Sequence, residues 1–93
     1  MDVLGQRIRQ LRNERELTLE MLVMDLKSMF PNIKIEKSMI SRWENGENAP
    51  TWENVKFLSM YFNVSLDYLA GLTDIRTPSR LLANRVKNKE TKA

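Results

Sequence analysis

Residues 37–50 read "KSMISRWENGENAP". The stretch has few clearly apolar residues, Met39, Ile40 and Trp43, set among charged and polar ones, and it stops on Asn45-Gly46 with Pro50 close behind. A glycine at the point where a helix must turn left-handed ends the helix at little steric cost, so the pattern predicts a helix over residues 36–45 closed by Gly46. On a helical wheel with Lys37 at zero, Ser41, Asn45, Ser38 and Arg42 fall at roughly 40°, 80°, 100° and 140°, while Met39, Trp43 and Ile40 fall at roughly 200°, 240° and 300°. One narrow apolar stripe therefore anchors the helix, and the opposite face shows a lysine, two serines, an arginine and an asparagine. From this helix alone the polar face reads first as a solvated surface; the context of a short helix pair before a helix that shows its N-terminal half outward favours instead a set of groups for phosphate oxygens and base edges, to which Arg, Lys, Ser and Asn are suited.

The flanks extend a helical pattern. Leu4, Ile8 and Leu11 lie at helical spacing behind Asp2, a candidate cap, with Arg7, Arg9, Arg12 and Arg15 on the other faces. Thr18 is the next cap, and Leu22, Leu26 and Met29 continue an apolar stripe that Pro31 ends. The segment "FPNIKIE" has no helical period and reads as a connecting loop. After the quoted helix, Thr51 caps a fourth helix with Val55, Leu58 and Phe62 inward, and Ser65 caps a short fifth, "LDYLA", that Gly71 ends. From Thr77 a cap, a proline and the thin edge of Leu81, Leu82 and Val86 predict a sixth helix. The fold class is all-α.

Ninety-three residues support one domain. The chain has no cysteine and no histidine, which removes disulfides, the usual zinc sites, thiol nucleophiles and the commonest general base together. No enzyme, metal site or cofactor is expected, and nothing suggests a small-molecule ligand. The start is charged and no apolar run approaches membrane-spanning length, so a cytoplasmic protein without a membrane partner is expected. Residues 1–75 hold nine Lys/Arg against eleven Asp/Glu, a net of −2, and residues 76–93 hold six against one, a net of +5. An anionic partner would therefore meet a local patch of the body, with the tail as a separate contributor. The expected division is a domain over residues 1–74 and a basic tail or helix over 75–93, a linker or a dimerisation element.

The runs "LGQRIRQLRNERELTLEML" and "KSMISRWENGENAPTWENVKFLSMYFNVSLDYLAGL" resemble the lambda-repressor/Cro-type (XRE-like) DNA-binding domains, and are most similar to repressors of Gram-positive bacteria and their temperate phages. The resemblance covers about residues 3–72, and "ISRWENG" followed by "NVSLDYLAGL" is its specific part. It implies a five-helix lambda-repressor-like domain whose second and third helices form a helix-turn-helix. It also implies that residues 36–45 are the recognition helix, with Lys37, Ser38 and Arg42 at base-contacting positions and Ser41 and Asn45 beside them near the backbone. Asn48 joins the expected DNA-contacting set. Glu44, at roughly 340° on the wheel, is implied to pair with Arg12 of the first helix rather than to face DNA. The implied partner is double-stranded operator DNA, bound by a homodimer on palindromic half-sites, and the implied role is that of a transcriptional regulator, foremost a repressor. Such a chain is either a compact regulator or the N-terminal part of a longer protein.

Two features depart from the family. Relatives usually have a small residue at Val23 and a glycine near Lys27; here the connection before Ile35 is about seven residues longer, against a common turn of 3 to 4. It is either a tolerated loop insertion or a means for Asn32 and Lys34 to reach a phosphate. Leu19 stands where the family places a polar phosphate contact, which shifts that role to Thr18 and the amides at the helix start. Phe57, Met60 and Tyr61 sit off the inward stripe of the fourth helix, as a core extended under the tail or as a dimer interface. The rival functional class is a protein-interaction module, antitoxin-like or adaptor, for which acidic or apolar residues at Lys37, Ser38 and Arg42 would be the mark.

Overall fold

Hydroxyl caps set three of the helix starts in the computed structural model, which describes residues 3–78. The elements are α1 (Val3–Glu14), α2 (Leu19–Met29), α3 (Lys37–Glu44), α4 (Trp52–Phe62) and α5 (Leu66–Ala70). Thr18 Oγ1 accepts from Met21 N at 3.1 Å, Thr51 Oγ1 from Asn54 N at 3.2 Å, and Ser65 Oγ from Tyr68 N at 2.9 Å. Each satisfies an amide that the helix itself leaves without a partner. The Asp2 cap, Leu81, Leu82 and Val86 lie outside the described residues, and so does the body of the expected sixth helix.

Three of the helix ends, those of α1, α3 and α5, follow one device. Behind α3, Gly46 sits at φ 75°, Gly46 N donates to Trp43 O at 3.2 Å and Glu47 N to Arg42 O at 2.9 Å. These are the paired bonds of a Schellman cap. The same pair closes α5 at Gly71 (φ 84°) and α1 at Glu16, whose φ of 56° is left-handed for a residue with a Cβ.

The helices surround one core. α1 packs on α3 and α5, α2 on α3 and α4, and α4 on α5. Ile8, Leu22, Leu26, Ile40, Leu58 and Leu69 are fully buried, each contributing about 1.5–3 kcal/mol relative to exposure. Among the residues expected to anchor α3, Ile40 and Trp43 are buried and Met39 is half-buried against the edge of the core.

The connection between α2 and α3 is an ordered part of that core. Ile33 and Ile35 are buried while Asn32, Lys34 and Glu36 point out, the alternation of an extended strand in a segment that pairs with no strand among the described residues. Phe30 stacks on Phe57 with ring centroids 4.6 Å apart, and Tyr61 donates from its hydroxyl to Asp25 Oδ2 at 2.5 Å. Thus Phe57 and Tyr61 are half-buried against α2 and the segment that follows it, and Met60 is the exposed member of that trio.

The three arginines of α1, and Arg15 just after it, are ties, not a basic patch. Arg7 donates to the carbonyls of Tyr68 and Thr73 and to Asp74, and its guanidinium lies 4.2 Å from the centre of the Tyr68 ring. Arg15 reaches the carbonyls of Tyr61 and Phe62 at 3.3 and 3.2 Å, where the C-terminal end of α4 is electronegative. Past α5 the chain turns back along the body: Ser65 N donates to Arg76 O, and Arg76 grips Glu14 through two bonds of 2.8 Å. Pro78, the last described residue, is buried, so packing continues beyond Asp74.

Candidate nucleic-acid interface

α3 is held by a charge at its end as much as by its apolar stripe. Glu44 is 7 % exposed, yet it follows Trp43 on the margin of the polar face. Arg12 Nε donates to Glu44 Oε2 at 2.7 Å and Arg12 Nη2 to Oε1 at 2.8 Å, a two-point fork, while Arg9 Nε reaches Oε1 at 3.4 Å. Arg12 Nη1 also donates to Leu17 O at 2.8 Å, so one guanidinium joins α1, the turn behind it and α3. The hydrogen bonds to Glu44 hold the Arg12 guanidinium above its ordinary basicity, against the opposing effect of its burial. No buried side-chain nitrogen or oxygen among the described residues lacks a hydrogen-bond partner.

With Glu44 turned inward, the outward face of α3 carries no carboxylate. Lys37, Ser38, Arg42 and Asn45 are exposed and Ser41 is half-buried. Ser38, Ser41 and Arg42 have no side-chain hydrogen bond or ion pair among the described residues. Lys37 Nζ lies 3.8 Å from Glu20 Oε1 in a pair open to solvent on both sides, a weak contact that leaves the lysine available. That contact lies between the first turn of α2 and the first turn of α3, so Thr18, two residues before Glu20, falls toward the same end of the face. Thr18 already accepts the Met21 amide, so what its hydroxyl can offer outward is its proton.

Lys34 is exposed and flanks a shallow groove with Ile33, Met39, Asn54 and Phe57. The burial of Ile33 and Ile35 on either side is what turns it out. Asn48 is exposed at the opposite end, on a groove shared with Gln6, Asn45 and Glu47. The structure therefore lays the sequence-predicted residues along one helix and its two flanks, Lys34 and Thr18 before it, Asn48 after it.

Arg9 is the residue that sequence reasoning missed. Its Nη2 donates to Asn45 Oδ1 at 2.6 Å while its Nε turns to Glu44. The available signal was its spacing: Arg9 and Arg12, three apart on a helix, share a face.

No group of three or more His, Cys, Asp or Glu side chains among the described residues is placed to hold a metal, and no helix there is long and apolar enough to cross a membrane. The remaining surface has the geometry of a helix presented by a supporting helix pair: α2 and α3 as a helix-turn-helix with a lengthened turn, backed by α1, α4 and α5. That is an all-α, lambda-repressor-like architecture, and the class it defines is the DNA-binding domain of transcriptional regulators.

The chain belongs to the helix-turn-helix domain family, whose model matches residues 5–75. It is similar to the HTH-type transcriptional activator BcrR of Enterococcus faecalis, 33% identical over 73 residues that make up 78% of this chain and 32% of that protein. It is also similar to the uncharacterized HTH-type transcriptional regulator YobD of Bacillus subtilis, 36% identical over 73 residues, 78% of this chain and 59% of that protein. The chain thus spans a third to somewhat over half of the length of these relatives. No solved structure matches it significantly.

Proposed function

We propose that this chain is a sequence-specific, double-stranded DNA-binding transcriptional regulator that inserts α3 into the major groove. The observation that carries the proposal is the combination of an outward α3 face rich in free donors with Glu44, its one carboxylate, withdrawn beneath the surface by Arg12. An exposed carboxylate there would repel phosphates; an interaction module would have no need to hide it. In this scheme Arg42 makes paired bonds to a guanine edge, Lys37 and Ser38 contact bases or the adjoining phosphates, and Ser41 and Asn45 lie against the backbone. Thr18, Lys34 and Asn48 hold phosphates at the two flanks, fixing the register without reading sequence.

The chain binds as a homodimer on palindromic half-sites about one helical turn apart, since a two-fold symmetric dimer presents two copies of α3 to the same face of the duplex. Repression by occupying the site is the simplest consequence, and binding to operator DNA places the protein in the cytoplasm. Selection of bound sequences from a random duplex pool tests the proposal. A recovered motif with two-fold symmetry supports it; salt-sensitive binding with no enriched sequence overturns it. A reporter joined to the recovered motif gives the sign, since one similar protein is named an activator.

A further inference from the structure

Asn45 closes α3, and its side-chain amide has two ends of opposite character. An amide free to turn can pair with adenine, accepting from one atom and donating to the next. Here it is not free. The guanidinium of Arg9 has only donors, so the group 2.6 Å from its Nη2 must be the amide oxygen, and the opposite end, the Nδ2 donors, must face away. Arg9 is itself held by its second bond, to the buried Glu44, so the aim of the amide is set from α1 and fixed by the fold. Among the described residues Nδ2 has no partner, and both Asn45 and Arg9 lie at the surface.

We infer that Arg9 is a positioning residue that holds Asn45 with its Nδ2 donors turned toward a phosphate oxygen. The inference rests on the DNA-binding proposal and deepens it. Lysine keeps the charge at position 9 but cannot hold a carboxylate and an amide oxygen in one planar fork. Arg12 continues to hold Glu44 in an Arg9→Lys variant, so α3 stays docked.

The test combines DNA affinity with a measurement made without DNA. Side-chain amide relaxation by NMR should show Asn45 rigid in the wild type and mobile in Arg9→Lys. On the selected duplex, Arg9→Lys and Asn45→Ala should each weaken binding about tenfold, the effect of one lost hydrogen bond to a charged group. The double variant should be no weaker than Asn45→Ala alone, because Arg9 acts through that amide; a purely structural role through Glu44 would persist when Asn45 is gone. Losses that multiply in the double variant, or an amide equally rigid in Arg9→Lys, overturn the positioning role while leaving DNA binding intact. A wild type whose amide is aimed by Arg9 but which binds no duplex overturns the DNA-binding proposal and this use of the amide with it.

Discussion

Replacing Arg12 by alanine strands a carboxylate. Glu44 is nearly out of water, with its side chain 3% exposed, and the substitution removes its contacts at 2.7 and 2.8 Å while leaving only the longer one from Arg9 at 3.4 Å. The Leu17 carbonyl loses its donor as well. Removing one partner of a buried ion pair costs about 3–5 kcal/mol because the other charge is left without compensation. Arg9 remains near Glu44 and places the expected loss at the lower end, about 3 kcal/mol, against a total stability of about 4–11 kcal/mol for a domain of this size. Urea unfolding followed through Trp43, which is buried, reads this directly. With a slope of about 1 kcal/mol per molar for a small domain, the midpoint should fall by about 3 M. Replacing both Arg12 and Glu44 by methionine should recover most of the loss, since no charge is then stranded. An Arg12→Ala protein within about 0.5 kcal/mol of the wild type would refute the claim that this pair docks α3.

Three further outcomes are expected. Gly71→Ala should cost about 1–2 kcal/mol, seen as a lower melting temperature, because the residue has a φ of 84° and a Cβ there would come within 2.9 Å of Val3 Cγ1; unchanged melting would contradict it. Lys34→Ala should reduce the slope of log affinity against log salt by about one if this lysine holds a phosphate, and an unchanged slope would return the 30–36 segment to a purely structural role. Glu14 should titrate below the usual carboxylate range, because it accepts hydrogen bonds from the Arg76 guanidinium. A folded-state value below the unfolded one means that the contact's stabilisation is fully present above the ordinary carboxylate range and is lost as pH falls through the lowered value. Carboxyl-carbon NMR should show this displaced midpoint, and Arg76→Gln should restore the ordinary one; equal midpoints in the two proteins would contradict the pairing.

How much of this was legible in the sequence depended on whether the signal was local. The caps Thr18, Thr51 and Ser65 and the left-handed stops at Gly46 and Gly71 are properties of a few neighbouring residues, and the structure has them where the pattern predicts. Glu44 and Arg12 are distant in the chain, and no periodicity joins them; only the family resemblance suggested the pair. The segment 30–36 lacks a helical period and so reads as a loop, yet its Ile33 and Ile35 are core residues with an extended alternation that no partner strand among the described residues announces. Phe57 and Tyr61 read from the sequence as a core under the tail or as a dimer interface, because their cover, Asp25 and Phe30, comes from α2 and the residue just after it. Arg9 was hidden for a different reason. Four arginines in and just after one helix suggest a charged surface, and only the fold shows that each is used on carbonyls or carboxylates.

The most direct test of the central claim is the affinity of wild type and Arg42→Ala for every single-base variant of the selected DNA site. Arg42 is exposed on α3 and its side chain has no partner among the described residues, so its loss should leave the fold unchanged. If α3 reads the major groove through it, the variant loses its preference at one base-pair position in each copy of the motif, by about 1–3 kcal/mol, and keeps its preferences elsewhere. Equal weakening at every position, or none, would contradict the assignment of this face as the sequence-reading surface.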